Sequence, residues 1–190
     1  MKLERVLPFA KSLLNTAVAE GDIVVDATVG NGHDTLFLAQ LVGPNGKVFG
    51  FDIQGQAIQS CKEKLIHQNV HERVVLFQEG HENVSKCIPE HFHGMVTGGI
   101  FNLGYLPGGD KTIVTVPETT ISAIQQLLQL LAPEGIIVIV VYHGHHEGQL
   151  ERDRLLQYVE TMDQKKAHVL KYQFLNQANN PPFIIAIEKR

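Results

Sequence analysis

The sequence is poor in three features that mark particular classes of protein: cysteine, long apolar runs and an excess of one charge. Its two cysteines, Cys61 and Cys87, lie in helix-like segments without C-x-x-C spacing, which favours reduced thiols over a disulfide framework or a redox motif. The longest apolar run, 136–142, is far too short to span a membrane. Glu4 and Arg5 interrupt the apolar pattern at the N-terminus, which argues against a signal peptide. We therefore expect a cytoplasmic protein without membrane association.

The charge balance gives no overall nucleic-acid signature. The formal net charge is −4 and the sequence pI is about 6.2, whereas nucleic-acid-binding domains are often basic. A small, local contact with RNA stays open, because net charge conceals patches. The 190 residues, 44% hydrophobic and 19% charged, predict one α/β domain over 1–190 with a full core. Residues 3–19 repeat apolar positions at helical spacing, so we expect residues 1–20 to supply a helix that packs on the edge of the fold.

The most informative stretch is D-A-T-V-G-N-G-H-D-T, residues 26–35. It follows an apolar strand pattern and leads into a helical one, which is the arrangement that binds nucleotide-like ligands at the carboxyl end of a parallel strand. Gly30 and Gly32 allow a tight turn and close approach of the backbone to a ligand. A helix that begins near His33 would direct free N–H groups to the same place.

The spacing separates two kinds of ligand. A dinucleotide fingerprint has a third glycine or alanine three residues after the second, and this sequence has Thr35 there. Asp26 at the strand end suits a cationic ligand better than a diphosphate. A second acid, Asp52, follows Gly32 by 20 residues, where a carboxylate can accept both hydroxyls of a ribose. The stretch resembles motif I of class I S-adenosylmethionine (SAM) methyltransferases, D/E-x-G-x-G-x-G, with Thr28 in place of the first glycine.

The remaining periodicity predicts alternating strands and helices. The expected strands are 23–27, 47–53, 74–77, 94–101, 136–142, 167–175 and 183–189. The last two are joined by a short connection and form an antiparallel hairpin. Six parallel strands and an antiparallel last one give a Rossmann-like, seven-stranded class I methyltransferase sheet.

Polar segments follow the third, fourth and fifth strands. Glu79 and His81 come after the third, where the SAM fold places the adenine. After the fourth, N-L-G-Y at 102–105 resembles the D/N-P-P-Y motif of methyltransferases that act on exocyclic nitrogen, with Leu103 and Gly104 replacing the prolines; a loop that only reverses the chain is the alternative. After the fifth, the histidines of 142–148 favour a loop over the substrate rather than a metal site, because their spacing fits no helical ligand pair and no cysteine is near. The alternative for 142–148 is a turn that only faces solvent.

Taken together, D-A-T-V-G-N-G-H-D-T, F-D-I-Q, E-G-H-E-N, N-L-G-Y-L-P-G-G-D-K and Y-H-G-H-H-E-G resemble a small bacterial family labelled rRNA methylases and understood as tRNA methyltransferases. The resemblance implies SAM-dependent conversion of 5-aminomethyl-2-thiouridine at the tRNA wobble position to 5-methylaminomethyl-2-thiouridine. It implies a cofactor shell of Asp26, Gly30, Asn31, Gly32, Asp34, Thr35, Asp52, Gln54, Glu79, His81 and Asn102. The implied catalytic residues are Asn102, Tyr105, Asp110, Tyr142 and His143. The implied substrate contacts are Gly104, Lys111, His145, His146 and Arg152.

The expected chemistry is direct displacement at nitrogen. Asn102 and the Gly104 carbonyl would orient the hydrogens of a neutral amine, and Asp110 or His143 would take its proton. Cysteine is absent from the motifs, which argues against the covalent route of carbon-5 methylation. A SAM methyltransferase of rRNA, a small molecule or a protein amine is the nearest alternative. A non-catalytic RNA-binding module is a further one, and Thr35 and Asp26 disfavour an NAD-dependent oxidoreductase.

The acidic net charge means that tRNA recognition requires a local basic rim around an anticodon stem-loop. The basic residues that flank the motif loops are the candidates for this rim: Arg5, Lys11, Lys111, Arg152, Arg154, Lys165 and Lys166. The apolar N-terminal helix also suggests a homodimer.

Overall fold

The computed structural model describes residues 2–104, 108, 114–144 and 146–190. The strands are β1 (Ile23–Asp26), β2 (Lys47–Phe51), β3 (Val74–Phe77), β4 (Val96–Leu103), β5 (Leu131–Val141), β6 (Ala167–Tyr172) and β7 (Phe183–Lys189). The α-helices are α1 (Val6–Ala17), α2 (His33–Leu41), α3 (Gly55–His67), α4 (Val84–Cys87), α5 (Pro117–Leu130) and α6 (His146–Glu160). Single 3-10 turns lie at His71–Arg73, His81–Asn83 and Glu90–Phe92.

The seven strands form one sheet in the order β3-β2-β1-β4-β5-β7-β6. β7 is antiparallel to both of its neighbours, and the other pairs are parallel. The predicted α/β fold and the antiparallel last strand are confirmed. The chain leaves β1 toward β2 on one side and returns with β4 on the other, so the topological switch point lies between β1 and β4.

The core has two parts, one on each face of the sheet. The first packs α1, α2 and α3 on side chains such as Val24 and Val138. The second packs α4, α5 and α6 on side chains such as Val25 and Ile139. Every residue of β1 is buried, which explains its continuous apolar run, because a parallel strand covered by helices has no polar face. Among the described residues, no helix has both the length and the apolar character needed to cross a membrane.

The N-terminal helix lies over the interior of the sheet rather than along its edge. α1 packs on β4, β5 and β7 and buries Val6, Ala10 and Leu14. Pro8 occupies the first turn, where the N–H has no partner within the helix in any case. The apolar stripe that suggested a homodimer is therefore part of the chain's own core, and a dimer stays a prediction without support from this stripe.

β5 begins earlier than the sequence predicts. Residues 133–135 read as a turn, but the strand includes them as an irregularity: Val96 pairs with Leu131, and the next pair is Gly98 with Ile136. Glu134 has a φ of 64°, which accommodates the extra residues. The carboxyl end of β5 is where the sequence placed it, so the irregularity does not disturb the functional end of the sheet.

Candidate active site

A cleft of about 900 Å³ opens at the carboxyl ends of β1, β2, β4 and β5, which is the usual place for a ligand in an open α/β sheet. Its volume lies in the range typical of small-molecule sites. The described part of the wall includes acids from several segments, which are Asp34, Asp52, Glu79 and Glu82. Among the described wall residues, Lys11 is the only lysine. This wall therefore carries an excess of negative charge, which favours a cationic ligand.

The glycine turn between β1 and α2 is shaped by two positive φ angles, 50° at Gly30 and 72° at Gly32. Gly30 and Asn31 line the cleft, whereas Gly32 packs inward, where a Cβ would lie 2.8 Å from Cys61 Sγ. Lys64 Nζ donates to the Asn31 carbonyl at 2.6 Å. The turn is thus held from outside by Lys64 and from beneath by Cys61.

Asp26 supports this turn from behind and does not line the cleft. The residue is fully buried and accepts hydrogen bonds from the Thr28 N–H at 3.1 Å and from Thr35 Oγ1 at 2.6 Å. Burial, with the negative charge of Asp34 adding to it, raises the pKa of Asp26 to about 7. Neither Asp26 nor the buried Thr35 lines the cleft, and their predicted contact with a cofactor stays a prediction. Both residues shape the turn.

Asp52 is held next to the glycine turn, as the sequence predicts. Its Oδ2 accepts the Gly30 N–H and its Oδ1 accepts the Gln54 N–H, both at 2.9 Å. Each carboxylate oxygen keeps a further lone pair. Asp52 and Gln54 both line the cleft, so a fixed carboxylate with spare acceptor capacity is available to ligand hydroxyls.

His81 is a buried hydrogen-bond acceptor in the wall of the cleft. It is 8% exposed, and its Nδ1 lies 3.1 Å from the Ala27 carbonyl. Because a carbonyl only accepts, Nδ1 carries the proton and Nε2 has the lone pair. Burial lowers the pKa of His81, so the ring is neutral near pH 7. Nε2 has no partner among the described residues, and a ligand N–H would satisfy it.

Asn102 lies at the end of β4 and is bonded on two sides. Its backbone N–H donates to Thr28 Oγ1 at 2.7 Å, and its Nδ2 donates to Asp34 Oδ2 at 2.7 Å. Asp34 Oδ1 lies 3.7 Å from Lys11 Nζ. Lys11, Thr28, Asp34 and Asn102 all line the cleft. The sequence singled out Asn102 and Asp34, but the joining roles of Thr28 and Lys11 had no local signal.

Gly104 and Thr115 join the two ends of the segment after β4. The Gly104 N–H donates to Thr115 Oγ1 and the Thr115 N–H donates to the Gly104 carbonyl, each at 3.0 Å. Thr115 Oγ1 in turn donates to Glu151 Oε2 at 2.6 Å. One lone pair of the Gly104 carbonyl, expected to orient a substrate amine, is therefore already in use. Of the predicted site residues, Tyr105, Asp110, Lys111 and His145 lie outside the described residues.

The residues directly after β5 line the cleft but differ in exposure: Tyr142, His143 and Gly144 all belong to its wall. Tyr142 lines the cleft and is 37% exposed. His143 is 5% exposed; its Nε2 donates to the Pro181 carbonyl at 3.0 Å, and its Nδ1 lies 3.4 Å from Arg152 Nη1. Burial and the neighbouring cation Arg152 lower the pKa of His143. Both ring nitrogens are engaged, so His143 fits the role of a proton acceptor poorly. Neither His146, which is exposed, nor Arg152 lines the described wall.

The predicted basic rim is split between the two ends of the sheet. The Lys166 carbonyl accepts the Arg190 N–H at 3.0 Å, and Arg190 follows β7 at the end where Glu188 pairs with Ile136. Lys165 and Lys166 therefore lie at the end of the sheet opposite the cleft, and their place in the rim is corrected. Lys11 lines the cleft.

Comparison with known proteins matches most of the chain to a described family. The family model described as "Putative rRNA methylase" matches residues 48–188. The tRNA (mnm(5)s(2)U34)-methyltransferase, chloroplastic, of Arabidopsis thaliana is 34% identical over 180 residues, which are 90% of this chain and 65% of the relative. The chain thus spans slightly less than two thirds of the length of this curated relative.

Two solved structures resemble the chain over nearly its whole length. A "putative rRNA-methylase" from Clostridium thermocellum has a TM-score of 0.96 at 45% identity, with 100% of both chains covered. A "putative methyltransferase" from Streptococcus mutans, in complex with SAH, has a TM-score of 0.89 at 38% identity, with 99% of both chains covered.

Proposed function

The chain belongs to the family described as "Putative rRNA methylase", and from that premise we propose that it is a SAM-dependent methyltransferase that acts on an amine nitrogen of tRNA. The specific reaction is conversion of 5-aminomethyl-2-thiouridine at the wobble position to 5-methylaminomethyl-2-thiouridine. Its support is the Arabidopsis relative, whose name states that activity. The two sequences are 34% identical, and the alignment covers 90% of this chain.

The residues of the cleft fit SAM. Asp52, fixed by two backbone N–H groups, would accept the ribose hydroxyls, and the lone pair of His81 Nε2 would accept an N–H of the ligand. The acidic wall suits a sulfonium. The Streptococcus mutans structure contains the related molecule SAH. When bound, SAM supplies an electrophilic methyl group.

The observation that carries the proposed reaction is the Asn102 amide oxygen, which accepts no hydrogen bond from the part of the chain that the structure describes. With Nδ2 donating to Asp34, the remaining Oδ1 is an acceptor for an N–H of the substrate amine. An amine held in this way directs its lone pair to the methyl carbon, and alignment supplies the main rate gain. Tyr142 in the same wall would contact the modified base.

The cysteines support direct displacement over a covalent route. Cys61 is buried beneath the glycine turn, and burial raises the pKa of its thiol to about 11. Burial also raises the pKa of Cys87. Neither residue lines the described wall of the cleft, and a thiolate is the form that would be needed to attack a pyrimidine.

Binding of the anticodon stem-loop would use the basic residues on the cleft side of the molecule. Arg5 directly precedes α1 and Lys11 lies within that helix, whereas Arg152 and Arg154 lie in the middle of α6. Lys165 and Lys166 are excluded by their position. We place the reaction in the cytoplasm, with the tRNA that it modifies, and a homodimer is retained as a prediction.

The test uses tRNA and rRNA from cells that lack this gene, labelled SAM and the purified protein, with mass spectrometry of the methylated nucleoside. We expect label in tRNA, on the aminomethyl nitrogen of the wobble uridine, and loss of at least about 10²-fold in rate with Asn102→Ala. The matched control, Lys165→Gln, changes a residue at the opposite end of the sheet and keeps the activity. Label in rRNA alone would overturn the substrate and retain the reaction class, whereas no label in either RNA would overturn both.

A further inference from the structure

Three side chains from three different elements form a polar chain along the cleft. Lys11 comes from α1, Asp34 from the first turn of α2 and Asn102 from the end of β4. Asp34 Oδ2 accepts Asn102 Nδ2–H at 2.7 Å, and Asp34 Oδ1 lies 3.7 Å from Lys11 Nζ. Lys11 is held in turn, because its Nζ lies 4.9 Å from the centre of the Phe37 ring. The positions of these polar side chains therefore depend on the packing of α1 and α2.

The carboxylate decides which way the Asn102 amide faces. An amide has one end that donates and one that accepts, and the two are similar in size. A carboxylate only accepts, so the NH₂ end must face Asp34 and the oxygen must face away. The position of the amide along the cleft is fixed separately, because its backbone N–H donates to Thr28 Oγ1 at 2.7 Å. Position and orientation thus have independent supports.

We propose that Asp34 is a positioning residue that orients the Asn102 amide so that its oxygen faces the substrate amine, with Lys11 holding the carboxylate in place. This inference rests on the proposed function and deepens it, because it explains why the site would select a nucleophile that bears N–H. An amine donates to the oriented oxygen. A reversed amide would place its NH₂ group against the N–H groups of the amine, and two donors cannot form a hydrogen bond through their hydrogens.

The arrangement favours this role for Asp34 over a direct one toward the cofactor or the proton. One carboxylate oxygen is bonded to Asn102 and the other faces the Lys11 ammonium. A residue that only bound the cofactor would need no bond to the amide at the end of β4. The two roles make different predictions: loss of a cofactor contact weakens SAM binding, whereas loss of orientation lowers the rate at saturating SAM.

The first arm of the test needs no substrate. The side-chain NH₂ signals of Asn102 are recorded by ¹⁵N–¹H NMR with SAH present, and are identified by their absence in Asn102→Asp. Asp34→Ala is expected to shift these signals, since it removes the carboxylate acceptor, and Glu160→Gln, an acid changed at the opposite end of the sheet, is expected to leave them in place. Unshifted Asn102 signals in Asp34→Ala would overturn the orientation.

The second arm measures SAH affinity by calorimetry and single-turnover methyl transfer at saturating SAM. We expect Asp34→Ala to lower the rate by about 10- to 100-fold with SAH affinity retained. Asp34→Asn should lose less, because the new amide keeps an acceptor for Asn102 Nδ2. Asp34→Ala combined with Asn102→Ala should be no slower than Asn102→Ala alone, since the first residue acts through the second.

The remaining outcomes distinguish orientation of Asn102 by Asp34 from cofactor binding by Asp34 and from a role independent of Asn102. Weaker SAH affinity with the rate restored at high SAM would make Asp34 a cofactor residue, and additive losses would make it independent of Asn102; either result overturns the proposal. Thermal melts of every variant separate a folding defect from both, and Asp34→Asn carries the test if Asp34→Ala is unfolded. Absence of methyl transfer by the wild-type protein would overturn the proposed function, and the NMR arm would still decide the orientation.

Discussion

Replacing Asp26 with asparagine should make the protein more resistant to unfolding, and increasingly so as the pH rises. Asp26 is fully buried beneath the glycine turn, where its two oxygens accept hydrogen bonds from Thr28 and Thr35. Asparagine has the same shape and keeps one acceptor for the Thr28 N–H. The Thr35 hydroxyl can turn to accept from the new NH₂ group. The substitution removes the ionisable group with little change in packing.

The pH dependence of the unfolding free energy follows from proton linkage. Burial raises the pKa of Asp26 from 3.8 to about 7, so unfolding releases a proton at any pH between these values. Stability therefore falls as the pH rises through this window and levels off above it. With about 1.4 kcal/mol per pKa unit, the loss between about pH 5 and about pH 8 is about 2.5 kcal/mol. Asp26→Asn should not show this loss.

Urea unfolding of both proteins across that pH range is the assay, with coincident fluorescence and circular dichroism transitions as the check for two-state behaviour. The difference in unfolding free energy, variant minus wild type, should grow by about 2.5 kcal/mol toward alkaline pH. Asp153→Asn is the control: Arg152 holds the pKa of this exposed acid below its ordinary value, so its effect should stay constant over the same range. A flat or falling difference for Asp26→Asn would refute the reasoning.

Two further substitutions test the wall of the cleft, and a third tests the packing beneath the glycine turn. Asp52→Ala leaves two backbone N–H groups without their carboxylate and should weaken SAH binding by at least about 10-fold in calorimetry. His81→Phe removes the free ring nitrogen and should weaken SAH binding by about 2- to 10-fold; unchanged affinity would exclude a ligand contact there. Gly32→Ala adds strain at positive φ and a clash with Cys61, so it should lower the unfolding free energy by about 2 to 4 kcal/mol in urea. Gly94→Ala, with positive φ but open space, should cost only the strain, and equal losses at both glycines would contradict the clash.

The sequence predicted the sheet well because parallel strands leave strong local signals. The bounds of β3 and β7 agree with the predicted ones, and Asp52 meets Gly30 as expected. That meeting follows from geometry alone: the carboxyl ends of neighbouring parallel strands share one edge of the sheet. The pairing therefore required only the strands and their order, with no knowledge of side-chain packing.

The orientation of individual side chains at the site could not be predicted, because it is set only when the chain is folded. Every residue of β1 is buried, so no alternation indicated that Asp26 faces the core beneath the turn. The bond between Asp34 and Asn102 joins residues 68 positions apart, and that between Thr115 and Glu151 joins residues 36 apart. Neither pair has a local pattern, because the first depends on how α2 packs against the end of β4 and the second on how α6 packs beside the segment that precedes α5.

Two of the departures from familiar methyltransferase motifs, Thr28 and Gly104, have a structural explanation. Thr28 stands where the first glycine is usual, and its hydroxyl accepts the backbone N–H of Asn102, a bond that glycine has no side chain to make. Gly104 stands where D/N-P-P-Y has its second proline. Its φ is 144° and its N–H donates to Thr115, whereas proline fixes φ near −65° and has no N–H. In this chain two threonine hydroxyls thus anchor the end of β4 that proline rings would stiffen, so the position of Asn102 depends on hydrogen bonds from residues far away in sequence.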